Sequence, residues 1–239
     1  MGLVACVFAV WKTLQPQNKK PARKRVASAA IVPSSTMHPL KVFRSWMKEY
    51  EALASSPITA KFACLSTVST STGHMISGIR PNARMVSILD ITDDFQFMFG
   101  TVLTSNKVKE MRLNPNVSLT FNYNEPRTSI RIHGVVEQCD EETSTKYWNS
   151  RGRGYKIAMM TTTQTEEIQD IKEFEDRIDA TTRSMDGKDI PLPIEQWAAF
   201  AITPIEVEFW RYGSNNCHLR HLYQKSGDHD SWDCVMLDG

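Results

Sequence analysis

Apolar and polar side chains alternate with a period of two over much of the chain, the pattern of strands buried on one face. Read this way, strands fall at 62–69 (FACLSTVS), 83–92 (ARMVSILDIT), 95–100 (FQFMFG), 116–123 (NVSLTFNY), 128–139 (TSIRIHGVVEQC), 199–210 (AFAITPIEVEFW), 218–225 (HLRHLYQK) and 231–237 (SWDCVML). Helical spacing is rarer. Val42, Phe43, Trp46, Met47, Tyr50 and Leu53 recur at it and predict a helix that opens the folded part. Residues 105–114 and 140–151 also read as helices, the second with Asp140 as its N-cap, and Ile168, Ile171, Phe174 and Ile178 form the stripe of another. Short strands at close intervals with few long helices indicate a mainly β, α+β fold, an antiparallel barrel closed or nearly so. No internal repeat is present.

One hairpin carries candidate chemistry. In 199–210, Ile205, Val207 and Phe209 alternate with Glu206, Glu208 and Trp210, which puts Trp210 opposite the aliphatic set. A turn with Gly213, Ser214, Asn215 and Asn216 follows, and the chain returns through His218 and Arg220, which share one face of a second strand. Trp, His and Arg on a hairpin suit a flat aromatic ligand with an anionic end, and they suit a solvated edge equally.

The length, 239 residues, fits one domain with a sizeable core. We place that domain at 39–239, after a basic, disordered extension over 1–38. Five cysteines (Cys6, Cys64, Cys139, Cys217, Cys234) without a CxxC pair argue against a disulfide framework and a cysteine-rich zinc site, and for an intracellular protein. The net charge of +1 hides an asymmetry: residues 1–48 hold nine Lys or Arg and no acid, so the remainder is net negative. The stretch NKKPARKRVASAA after GLVACVFAVW reads as a disordered tail, or as a mitochondrial targeting segment. The apolar run is too short to span a bilayer, and Cys6 stands where a myristoylation site needs Ser or Thr. Cytoplasmic location, with mitochondrial import as the alternative, is the expectation. No aromatic platform accompanies the basic run, so no nucleic-acid partner and no stable membrane insertion are expected.

Common catalytic signatures are missing: no GxGxxG after a strand, no GxxxxGK[ST], no HExxH, no GxSxG. The six histidines show no metal-ligand spacing beyond the loose His218 and His221 pair, so no metal is expected. Phosphate-capable residues recur instead. Arg84 heads a strand, Ser105 and Lys107 start a helix whose free NH groups and dipole favour an anion, and Gln164 lies among the hydroxyls of TTTQT. Each alone is a cap or a surface charge; their order is the stronger signal.

A likeness running from about residue 39 to 237 rests on the blocks HPLKVFRSWMKE, ARMVSIL, FMFGTVLTSNKVKEMRLNPNVSLTF, KYWNSRGRGYKIA, DIPLP followed by a Trp, and VEFWRYGSNNCHLRHLYQK. In order and spacing they resemble the FMN-dependent pyridoxine (pyridoxamine) 5′-phosphate oxidases. The resemblance implies an FMN-binding split β-barrel, antiparallel with flanking helices, assembled as a homodimer with its sites between subunits. By position it assigns FMN contacts to Arg84, Met85, Val86, Ser87, Leu89, Gly100, Thr101, Asn106, Lys107, Ser129, Gln164, Thr165, Trp210 and Arg220, with Arg84 and Lys107 on the phosphate. It gives the substrate, a phosphorylated B6 vitamer, to Tyr147, Arg151, Tyr155, Asn216 and His218. His218 orients the substrate and Arg220 the flavin, as the catalytic pair.

The departures bear on activity. Leu89 stands where the family has Lys, Tyr155 where it has Ser, Asn216 and Asn106 where it has Arg, and Ser129 where it has Gln. A lost hydrogen bond to a charged phosphate costs about 1.5 to 3 kcal/mol, so two such losses weaken substrate binding about 100-fold. Three readings follow. The first is an oxidase of vitamin B6 metabolism that makes pyridoxal 5′-phosphate with O2 as acceptor and H2O2 as product. The second is a split-barrel protein that binds FMN or a vitamer without turnover. The third is a flavin oxidoreductase with a changed substrate.

Overall fold

The computed structural model describes residues 31–53, 60–71, 78–162, 164, 167–227 and 231–238. The basic head up to residue 30 lies outside the described residues. Eight strands form one antiparallel sheet: β1 (Phe62–Ser71), β2 (Gly78–Ile91), β3 (Phe97–Val102), β4 (Asn116–Tyr123), β5 (Thr128–Gln138), β6 (Trp197–Arg211), β7 (Leu219–Ser226) and β8 (Ser231–Leu237). The helices among the described residues are α1 (Pro39–Leu53), α2 (Asn106–Leu113), α3 (Glu141–Asn149), α4 (Arg153–Thr161) and α5 (Ile171–Ser184).

Strand order is β3-β2-β1-β4-β5-β6-β7-β8, and β3 also pairs with β6. The first half of β6 (197–202) is bonded to β3, the second half (206–211) to β7, and β5 runs along nearly all of it. The six strands from β3 to β6 therefore return on themselves while β7 and β8 splay away, which is a split barrel.

Two cores flank β6. The larger lies inside the barrel, where α1 inserts Val42, Phe43, Trp46 and Met47 against Phe97, Phe121, Phe209 and Leu65. The smaller lies on the outer side, where α3 and α4 set Tyr147, Trp148 and Ile157 against Met98, Trp197, Ala199 and Ala201. Both faces of the first half of β6 are thus covered, and this explains its unbroken apolar run. A bulge then resets the alternation. His133 pairs with Glu206 but Gly134 with Pro204, so Ile205 is the extra residue. Ahead of it even-numbered residues face the main core; beyond it Val207 and Phe209 do. Ile205, expected inside with them, is consequently 46% exposed.

The predicted strands and helices recur with shifted ends. β2 begins at Gly78, well before 83, and β3 begins at Phe97 because Phe95 turns the chain with φ +58°. Asp140 caps α3 by accepting from Thr143 N at 2.8 Å. Helix α4 is an addition to the predicted set; it buries only Ile157, so its apolar periodicity is weak. Ile168 precedes α5, and no residue of that helix is buried. Residues 31–38, assigned by sequence to the extension, are held in place: Ile31 N donates to Ser45 Oγ (3.0 Å), Ile31 O accepts from Trp46 Nε1 (2.9 Å), and the Tyr223 hydroxyl bridges Ser34 N and O at 2.9 Å each.

Glu110 of α2 is buried in the barrel wall and would be costly there alone. It accepts from Asn82 Nδ2 (2.8 Å), Arg84 NH2 (2.9 Å) and the Thr67 hydroxyl, and so ties α2 to β1 and β2. Removing one partner of such a pair leaves an uncompensated charge, so Arg84→Met should lower unfolding stability by about 3 kcal/mol in urea titration. A loss below about 0.5 kcal/mol would mean the pair is a surface one.

Candidate functional site

A cleft of about 180 Å³ opens between β2, β3 and α4. Alternation along β2 aims Met85, Ser87 and Leu89 into it, with Val86 contributing at its wall. Gly100 and Thr101 of β3 form the floor. A Cβ on Gly100 would overlap the Trp197 indole, so β3 can lie against that ring only with glycine there. Lys107, in the first turn of α2, reaches across to Thr101 Oγ1 and Gln164 Oε1, both at 3.0 Å. Burial pushes the Lys107 ammonium below its ordinary value of 10.5, and the nearby Arg84 charge pushes it further, against a smaller opposing pull from Glu110. At the head of α2, the Ser105 hydroxyl is buried without a hydrogen-bond partner among the described residues.

The opposite wall is made by Arg151, Tyr155 and Met159. The Arg151 guanidinium lies 4.1 Å over the Tyr155 ring, and its buried Nε has no partner among the described residues. Tyr155 Oη accepts from Trp197 Nε1 at 3.0 Å, which fixes that ring. Tyr147 belongs to the outer core, against which Leu89 and Tyr155 pack, and does not line the cleft. Its hydroxyl donates to Asp90 Oδ2 at 3.0 Å, and desolvation, followed by that carboxylate, pushes its pKa up to about 12.

Arg84 occupies a different position from the one the sequence suggested. It sits on the barrel-facing side of β2, and its guanidinium is spent on Glu110, Thr67 and the Leu65 carbonyl. It reaches the cleft only as a field on Lys107. Asn106, exposed at the start of α2, does not line the cleft either. Thr165 lies outside the described residues.

The remaining candidates form a second group on the splayed part of the sheet. Ser129, Trp210 and Arg220 make one cross-strand row over β5, β6 and β7. His218 stands just before β7 with its ring between Trp210 (4.9 Å) and Tyr212 (5.1 Å), and its buried Nδ1 lacks a hydrogen-bond partner among the described residues. Asn216, in the left-handed region at φ +62°, accepts from the Tyr212 hydroxyl at 3.2 Å. Glu208, which the alternation placed toward solvent, is only 7% exposed. It accepts from Arg220 Nε at 2.8 Å and pairs with Arg131, and its hydrogen bond raises the Arg220 pKa. Sequence reasoning passed over Glu208 because its two arginines come together only through strand register.

The two groups are separate on one chain. Gly100 pairs with Ala199 near the start of β6, while Trp210 lies near its end. From Ala199 to Trp210 the strand runs about 36 Å at roughly 3.3 Å per residue.

A split barrel with a cationic cleft at one end of its longest strand and an aromatic, basic hairpin at the other defines the class. The family pattern described as pyridoxamine 5′-phosphate oxidase matches residues 48–183, and the pyridoxine 5′-phosphate oxidase C-terminal dimerisation region matches 197–238. The chain belongs to the pyridoxamine 5′-phosphate oxidase family. It is 31% identical to the pyridoxine/pyridoxamine 5′-phosphate oxidase of Ehrlichia ruminantium, over 84% of this chain and 98% of that one. It is 26% identical to the pyridoxamine 5′-phosphate oxidase of Saccharomyces cerevisiae, over 84% and 86%. Among solved structures, PhzG from Burkholderia lata 383 in complex with tetrahydrophenazine-1-carboxylic acid superposes with a TM-score of 0.75 at 22% identity, covering 89% of this chain and all of that one, and shares the fold. No helix among the described residues is long and apolar enough to cross a membrane.

Because Gly100 lies under the Trp197 ring, Gly100→Ala should destabilise the chain by about 1 to 3 kcal/mol through overpacking. Thermal unfolding checks this; an unchanged midpoint would mean that the indole is free to move aside.

Proposed function

We propose that the chain binds FMN between two copies of itself and uses it to oxidise pyridoxine 5′-phosphate or pyridoxamine 5′-phosphate to pyridoxal 5′-phosphate, with O2 as acceptor and H2O2 as product. The observation that carries this reading is the division of the site: a cleft at one end of β6 and the Ser129, Trp210, Arg220 and His218 group at the other. A cleft of about 180 Å³ is smaller than typical ligand sites of about 300 to 1,000 Å³. A second copy, joined through the 197–238 region, supplies the missing wall.

The residues fit the cofactor. Lys107, Thr101 and Gln164 converge on one spot, and the unpartnered Ser105 hydroxyl lies at the head of α2, where backbone NH groups favour an anion. Bound there, the flavin would accept a hydride from the substrate carbon and pass the electrons to dioxygen. The chain's part is binding and positioning. Lys107 neutralises the cofactor phosphate, Trp210 offers a flat apolar wall, and Arg220 is held at its working angle by Glu208. His218, whose ring lies between Trp210 and Tyr212, would orient the substrate ring, and Arg151 would take the substrate's anionic end. Asn216 supplies no cation over that ring and is tied to Tyr212, so binding survives the substitutions better than turnover does.

Lys107→Met should weaken FMN binding about ten- to hundredfold, from the loss of a charged hydrogen bond. For the native chain, affinity is full while Lys107 is protonated and falls as pH rises through its lowered pKa, so the alkaline loss begins below 10.5. Fluorescence titration of the flavin against pH reads both; binding that is insensitive to Lys107 removes the phosphate site from α2.

Anaerobic addition of millimolar pyridoxamine 5′-phosphate to the FMN-loaded protein should bleach the flavin band, and Asn216→Arg with Leu89→Lys should speed it. Absence of bleaching in both proteins favours the non-catalytic alternative.

A further inference from the structure

Resting on the flavin reading above, we infer that Arg131 sets the charge that Arg220 presents to the flavin: it balances Glu208, so that Arg220 meets the isoalloxazine ring as an uncancelled cation. Along β5, Ser129 and Arg131 share one face, as Trp210 and Glu208 do along β6. Register then sets Arg131 directly opposite Glu208, one row from Ser129, Trp210 and Arg220. Arg220 reaches diagonally out of its own row, and its Nε donates to Glu208 Oε1 at 2.8 Å, while Arg131 holds the other oxygen, Oε2. One buried carboxylate thus serves two guanidinium side chains that remain 32% and 45% exposed, within reach of a ligand.

Paired with Arg220 alone, Glu208 would leave a neutral couple and a weakened field beside Trp210. With Arg131 the trio carries a net +1. The next row, His133 facing Glu206 at 3.7 Å, is a couple of its own and lies farther from Trp210. Reduction adds negative charge to an isoalloxazine ring, and a cation beside the ring favours that form. Arg131 acts on it at one remove, through Glu208 and Arg220, and is therefore a positioning residue.

The midpoint potential of FMN bound to the full chain, read against a reference dye, tests this without turnover. Loss of one screened charge should weaken binding of reduced FMN about three- to tenfold more than that of oxidised FMN. Arg131→Gln should therefore lower the potential by about 15 to 30 mV for a two-electron couple. Arg131→Lys should restore it, and Glu208→Gln, which removes the balancing acid, should shift it upward. A role confined to holding the sheet together would weaken flavin binding in both variants without moving the potential in opposite directions. An unchanged or raised potential in Arg131→Gln, or shifts of one sign in Arg131→Gln and Glu208→Gln, overturns the inference. Should Glu208→Gln fail to fold, the contrast between Arg131→Gln and Arg131→Lys decides alone. A native chain that takes up no FMN overturns the flavin reading, and this inference with it.

Discussion

The pairing of β3 with β6 is the contact on which the remaining architecture depends. It brings six strands round on themselves, and it places Gly100 beneath Trp197, where both faces of β6 are covered. Because that half of β6 is buried on both sides, α3 and α4 have an apolar surface to pack on, and they carry Arg151, Tyr155 and Met159 to the cleft. The bulge at Ile205 then turns β6 away, so its second half is free to pair with β7 and to present Trp210. One strand thus carries the two candidate groups at its opposite ends.

Buried carboxylates set the electrostatics around both groups. Glu110 occupies Arg84 and leaves Lys107 as the cleft's cation near α2, while Glu208 of β6 holds Arg220 of β7 and Arg131 of β5. In each case an acid in the wall fixes the position of a base, and a positioned cation loses less freedom when an anion arrives. Asp90 is partnered differently: its carboxylate accepts from the Tyr147 hydroxyl of the outer core.

The strands were readable because each buries one face, and period-two alternation survives in sequence. It failed at Ile205, where a bulge that no local pattern announces shifts the register by one. Helix α4 was missed because Gly154 and a single buried residue leave little periodicity to read. Of the candidate site, Lys107 and Gln164 stood out from their order along the chain, while Met85, Val86, Ser87, Leu89, Gly100 and Thr101 were assigned through the family resemblance alone; all of them line the cleft. The pairing of Arg84 with Glu110 was not legible because a strand-head arginine looks the same whether it meets a ligand or a buried glutamate, nor was that of Glu208, whose partners converge only through cross-strand pairing.

Mixing two variants tests most directly the claim that each flavin site is built from two copies. Lys107→Met damages the cleft and Trp210→Ala the hairpin; each alone should bind FMN weakly. In a dimer of one variant with the other, one site unites both intact halves. The account predicts that mixed and refolded dimers recover native FMN affinity at one site per dimer. No recovery on mixing, at any ratio, would contradict it and place the whole site within a single chain.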